Sequence, residues 1–192
     1  MNGNRHLFWA LVETEHLKAR AYCRKLFRNR DDGDDLYQDV LVVALERFHS
    51  LRNHGAFRPW LYRIIINSFK NRVRRSWWRT FVPLTDTVAD TVAASNPAPG
   101  QAARRRLEIA FGALTPYDRA LVTLFELEGW SLAEMATLTG KSVGSIKTRL
   151  SRSRNKMRAA LIKYLGRSAT SNQCAELLSE ELVCVVMKSA KD

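Results

Sequence analysis

Apolar residues recur along the chain at helical rather than strand spacing. Leu36, Val40, Val43 and Ala44 follow an i, i+4, i+7, i+8 pattern, and Leu61, Ile65 and Phe69 are spaced by four. No alternating polar and apolar run bounded by turn pairs is present, so no strand is expected. Further on, at about 100° per residue, Val143, Ile146, Leu150, Met157 and Leu161 gather on one side of a helix and are expected to face a core. The pattern predicts an all-α protein.

The periodicity stops between Pro83 and Gly100. PLTDTVADTVAASNPAPG holds three of the five prolines and few large apolar residues, as a linker does. The chain therefore divides into a helical domain over residues 1–82, a flexible linker over 83–103, a second helical domain over 104–165 and a tail over 166–192. Within the tail, SATSNQ reads as a loop. CAELLSEELVCVVMK reads as a short helix that either packs back on the second domain or serves a partner.

Helix starts are well marked in the second domain. Thr115-Pro116-Tyr117-Asp118 places Thr at the N-cap, Pro at N1 and an acid at N3. Ser131 and Glu134 form a capping box. Gly140 ends that helix where a positive φ is needed, and Ser142 caps the next. Two helices joined through Thr139-Gly140-Lys141 make a helix-turn-helix.

The outward side of the second of these helices carries Gly144, Ser145, Thr148, Ser151, Arg152 and Asn155, with Lys147 on its shoulder. Small residues at its start let the helix approach bases; Arg and Lys can donate to guanine, and Ser, Thr and Asn can also meet base edges. Arg149, Arg154, Lys156 and Arg158 flank this face and suit phosphates. In the first domain, Arg63, Asn67, Lys70, Asn71 and Arg74 fall close together on the helix after Arg58-Pro59. Trp60, Leu61 and Ile64 lie nearer its buried side. The loop from His49 to Phe57 precedes this helix, and Arg75, Trp77, Trp78 and Arg79 follow. Cations mixed with amides and rings suit a single strand, where charge follows the backbone and rings stack on bases.

Charge sharpens this picture. The 192 residues carry a formal net charge of +12, and 46% are hydrophobic. The chain is thus a folded basic protein, for which nucleic acid is the first partner to consider and a membrane surface the second. No run of about 18 apolar residues exists, so no membrane insertion is expected. The start of the chain lacks the features of a signal peptide. Cys23, Cys174 and Cys184 show no metal-binding spacing and read as thiols of a cytoplasmic protein.

Residues 34–75, with DDLYQDVLVVALERF and FRPWLYRIIIN, resemble the first conserved domain of extracytoplasmic-function sigma factors of bacterial RNA polymerase. Its pattern is D-hydrophobic-x-Q-[ED] followed by F-x-x-W-L-Y-R-I-x-x-N. Residues 114–161, with LTPYDR, EGWSLAEMA and SVGSIKTRLSRSRNKMRAAL, resemble their second conserved domain. The resemblance implies a non-enzymatic factor without cofactor. It would bind core polymerase, recognise the −35 element as duplex and the melted −10 element as single strand, and take an anti-sigma factor as partner. It assigns Asp35, Leu36, Gln38, Asp39 and Val42 to polymerase. It assigns Arg52, Asn53, Phe57, Trp60, Tyr62, Arg63, Asn67, Lys70, Asn71 and Arg74 to the downstream element. Ser142, Gly144, Ser145, Lys147, Thr148, Arg149, Ser151 and Arg152 take the upstream element. Arg58-Pro59 and Ser151 depart from the residues usual in the family, and the tail is not standard to it.

Other chemistry is poorly supported. Asp31, Asp32, Asp34 and Asp35 surround Gly33 but lack the twelfth-position carboxylate or the central glycine of a calcium loop, so a polar turn and helix cap are expected. His49 and His54 lack ligand partners at metal spacing, and no metal site is expected. An ordinary helix-turn-helix repressor or activator is the alternative, disfavoured by the polar-aromatic first domain. A recombinase would need a nucleophile or carboxylate cluster that the sequence does not offer.

Overall fold

The computed structural model describes residues 2–27, 29–80, 99–166 and 176–177, and the side chains of 4–27, 29–75, 101–166 and 176–177. Those residues form helices joined by short turns and loops, with no strand among them. Residues 81–98, which hold most of the linker, the side chains of Trp77, Trp78 and Arg79, and nearly all of the tail, including Cys174 and Cys184, lie outside the described residues.

Helix α1 (Asn2–Leu26) buries Phe8, Val12, Ala19, Tyr22, Cys23 and Leu26. Burial pushes the Cys23 thiol far above its ordinary range, which keeps it protonated and unreactive. Helix α2 (Arg30–Arg47) begins where a polar turn was expected. Asn29 accepts a hydrogen bond from the Asp31 amide at 3.1 Å, and Asp31 and Asp32 occupy the first turn, where the helix dipole favours acids. Asp34 is neither cap nor metal ligand. It accepts from Nε of Arg20 and of Arg24 at 2.9 and 2.7 Å and so ties α2 to α1.

Gly33 lets those two helices approach. A Cβ there would lie 2.5 Å from the Arg24 Cα and 2.9 Å from its amide nitrogen. Two 3-10 turns, Phe48–Ser50 and His54–Ala56, then lead into helix α3 (Phe57–Thr80), whose first turn accommodates Pro59.

The second half starts at Pro99, within the segment read as linker, with helix α4 (Pro99–Gly112). Helix α5 (Pro116–Leu127) has Thr115 as N-cap and Pro116 at N1. Helix α6 (Leu132–Thr139) carries the complete Ser131–Glu134 capping box and ends at Gly140, φ +67°. Helix α7 (Val143–Leu165) is capped by Ser142. Ile146, Leu150, Met157 and Leu161 are buried as expected, but Val143, the first residue of α7, is 45% exposed and does not belong to the core.

The two halves do not behave as beads on a string. Tyr22 is fully buried, stacks on Tyr62 at 5.3 Å and donates to the Ala120 carbonyl at 3.0 Å. Tyr62 in turn meets Trp130 at 4.8 Å. Lys25 and Glu128 form an ion pair at 2.8 Å across the same seam. These contacts join residues far apart in the chain, so the helical spacing that predicts two domains on a flexible linker carries no signal for them.

Candidate nucleic-acid interface

The outward face of α7 brings its sequence-predicted residues together on one surface. Ser142, Gly144, Ser145, Lys147, Thr148, Arg149, Ser151 and Arg152 are all exposed, while Ile146 and Leu150 between them are buried. The 3.6-residue period and the Ser142 cap, which accepts from the Ser145 amide at 3.2 Å, set this division. A Cβ added to Gly144 would meet nothing within 4 Å, so the fold itself does not demand glycine there.

The flanking cations are held rather than free. Arg149 donates through Nε to Asp118 at 2.7 Å and lies over the Tyr117 ring at 4.8 Å. Lys156 approaches the other Asp118 oxygen at 3.6 Å. Burial by itself would raise the Asp118 carboxyl, but Arg149, Thr115 and Lys156 outweigh it and keep the group below its ordinary range. Arg154 pairs with Glu126 at 2.6 Å. Lys147 and Arg152 have no hydrogen-bond or ion-pair partner among the described residues.

The first-half residues divide differently. Arg52, Asn53, Asn67, Lys70, Asn71 and Arg74 are exposed. Trp60 is half-buried against Phe48 and Phe57. Phe57 and Tyr62, expected at the downstream strand, are 3% and 1% exposed and belong to the core. Their rings are consumed by Phe8, Phe48, Tyr22 and Trp130 and offer no face to a base in this arrangement.

Arg63 is also engaged. It donates through Nε to the Leu138 carbonyl at 2.8 Å and through Nη2 to that of Thr137 at 3.2 Å, at the carbonyl end of α6. Arg58, noted in sequence only as a departure, stacks on Trp130 at 4.4 Å and donates to Glu134 at 3.1 Å.

On α2, Asp35, Gln38 and Asp39 are exposed and Val42 is 58% exposed. Leu36 is fully buried, so it supports that surface from inside instead of lining it; its spacing with Val40 and Ala44 turns it to the core. Sequence reasoning missed Arg72, which reaches from α3 to bond Asp35 at 3.1 Å and Asp39 at 3.2 Å. It also missed the grip of Asp118 on α7. Both are long-range pairings between helices, for which local spacing gives no signal. Among the described residues no group of His, Cys, Asp and Glu could hold a metal, and no helix is long and apolar enough to cross a membrane.

Comparison with known proteins identifies the family. Residues 11–79 match the family Sigma-70 region 2, and residues 104–157 match Sigma-70, region 4. The ECF RNA polymerase sigma factor SigM of Mycobacterium tuberculosis is 32% identical over 85% of this chain and 81% of its own length. The RNA polymerase sigma factor CnrH of Cupriavidus metallidurans is 29% identical over 83% of this chain and 89% of its own. Among solved structures, CnrH in complex with the cytosolic domain of CnrY superposes with a TM-score of 0.56 at 25% identity, covering 83% of this chain and 90% of that one. RpoE of Bartonella quintana, in complex with the anti-sigma factor NepR, superposes with a TM-score of 0.51 at 26% identity, covering 81% of this chain and 91% of that one. With one sigma region on each side of the linker and a relative of this identity aligned over most of its length, the chain belongs to the extracytoplasmic-function sigma factors of RNA polymerase.

Proposed function

We propose that the chain directs core RNA polymerase to promoters by two separate readings of DNA, without catalysis of its own. The α2 surface of Asp35, Gln38, Asp39 and Val42 docks on polymerase. The outward face of α7 enters the major groove at the upstream element, where Ser145, Lys147, Thr148, Ser151 and Arg152 reach base edges while Arg149 and Lys156 take phosphates. The loop at Arg52 and Asn53, with Trp60, Asn67, Lys70, Asn71 and Arg74 of α3, holds the opened strand of the downstream element. Arg63 joins them once α6 leaves it.

The observation that carries this reading is the α7 face. Eight small, hydroxylated or cationic residues lie exposed together, backed by buried Ile146 and Leu150. A glycine whose added Cβ would be unopposed sits at the tip, where its only evident use is to let another molecule come close. Relatives solved with CnrY and with the anti-sigma factor NepR support a protein partner of that class for this chain too. A repressor that binds its operator alone has no use for the α2 surface or the α3 face.

Run-off transcription with bacterial core polymerase over a promoter library tests the proposal. The expected result is initiation from a defined promoter subset only when this chain is added. Absence of any transcript over the whole library would sink it. On a promoter so recovered, Arg152→Ala should reduce discrimination at the upstream element by about 1–3 kcal/mol, and equal loss on every sequence would reassign Arg152 to a phosphate.

A further inference from the structure

We infer that Asp118 is the positioning residue of the upstream reading helix: it fixes Arg149 and Lys156 on α7 and thereby separates the cations that grip phosphates from Arg152, which reads bases. The inference rests on the reading of α7 as a duplex-binding helix.

Asp118 belongs to α5, where an acid at N3 needs only the Thr115 cap to be accounted for. It does more than that. Its side chain is 7% exposed and lies beneath two cations that are 48% and 51% exposed, so the triad is closed on the protein side and open on the solvent side. Oδ1 takes Nε of Arg149 at 2.7 Å. Oδ2 takes the Thr115 hydroxyl at 2.8 Å and faces Nζ of Lys156 at 3.6 Å. Arg149 and Lys156 are two helical turns apart, so one carboxylate spans both positions of the same face.

Two contacts hold the Arg149 guanidinium: its Nε donates to Asp118 at 2.7 Å, and its central carbon lies over the Tyr117 ring, 4.8 Å from the ring centroid. Both Nη groups are left without partners among the described residues. That is the arrangement suited to a forked grip on a phosphate oxygen pair. Arg152 lines the same cleft of about 380 Å³, beside Ser145 and Thr148, and carries no such anchor.

The carboxylate also cancels part of the attraction of its two cations for DNA in general. Its presence therefore trades sequence-independent affinity for a fixed register, so that the free side chain meets the same base each time. Lys70 of α3 lies 5.4 Å from the same Tyr117 ring, so this platform touches the first half of the protein as well.

The test uses full-length protein with core polymerase on the recovered promoter, intact or scrambled at the upstream element, across a salt series. Asp118→Asn should lower the preference for the intact element roughly tenfold, the effect of losing one charge-assisted hydrogen bond. Binding to scrambled duplex should be undiminished and its salt dependence steeper, because one negative charge is gone. A purely structural role would weaken both duplexes together and lower the melting temperature in proportion. Asp118→Glu should restore most of the preference.

Arg149→Lys, an exposed substitution that keeps the charge but loses the fork, should reproduce the loss, and the double variant should be no worse than either single one. If the wild type prefers the intact element and Arg152→Ala abolishes that preference while Asp118→Asn keeps it, the role of Asp118 is overturned and the reading of α7 stands. Additive losses in the double variant overturn it equally. If the wild type shows no preference at all, both fall.

Discussion

Asp34 shows how one side chain can carry a helix pair. Hydrogen bonds from Arg24, then from Arg20, hold its carboxyl well below the usual carboxylate range. An unfolded-chain aspartate titrates near about 4. The stabilisation is therefore present in full above that pH and is lost as pH falls toward the depressed folded value. Asp34→Asn should lower the melting midpoint by about 2–4 °C at pH 7, equivalent to ~1 kcal/mol for a chain of this size. The gap to wild type should narrow below about pH 4, where the Asp34 carboxylate of the unfolded chain takes up a proton that the folded one still resists. Circular-dichroism melts at pH 7 and pH 3 check this, and an equal gap at both would show that packing, not charge, is what Asp34 supplies. In sequence Asp34 was one of four acids around a glycine and read as a turn. Only its place opposite Arg20 and Arg24 on α1 reveals its role, and that pairing depends on a close approach that Gly33 permits.

Elements with local start and stop chemistry were legible, and those held by distant contacts were not. The Thr115 cap, the Ser131–Glu134 box, Gly140 and the Ser142 cap appear where the sequence placed them, because each is satisfied within four residues. Helix α1 went unread. Its buried stripe from Phe8 through Val12, Ala19 and Cys23 to Leu26 is spaced helically, but no N-cap announces it and charged residues interrupt it. Phe57 and Tyr62 are assigned to the downstream strand by the family resemblance alone, whereas aromatic residues at helical spacing more often face a core, and both are buried here. Gly144 tests the α7 face without touching the core. Its replacement by alanine should stabilise the free protein by about 0.5–1 kcal/mol, since glycine is the poorer helix former and the new Cβ is unopposed. The same change should weaken selection of the upstream element. A gain in stability with promoter selection unaltered would remove the close approach at this point from the account.

At the scale of the whole molecule, the two halves are locked through groups that the proposed downstream reading needs. Arg63 is bonded to the last carbonyls of α6, and the Lys25–Glu128 pair and the Tyr22–Ala120 bond close the same seam. Burial pushes the Glu128 carboxyl above its ordinary range despite the opposing pull of Lys25, so this pair is desolvated and intolerant of losing one partner. A fluorescence pair on α2 and α7 should report a longer separation when core polymerase and promoter are added, and an unchanged separation would contradict release of Arg63. The most direct measurement of the central claim crosses two variants with two promoter changes. Run-off transcription with core polymerase would compare wild type, Arg152→Ala and Asn67→Ala on the recovered promoter, altered at the upstream or at the downstream element. The account predicts that Arg152→Ala becomes indifferent to the upstream change and stays sensitive to the downstream one, while Asn67→Ala shows the reverse. If both variants lose discrimination at the same element, or neither loses any, two separate readings by α7 and α3 are contradicted.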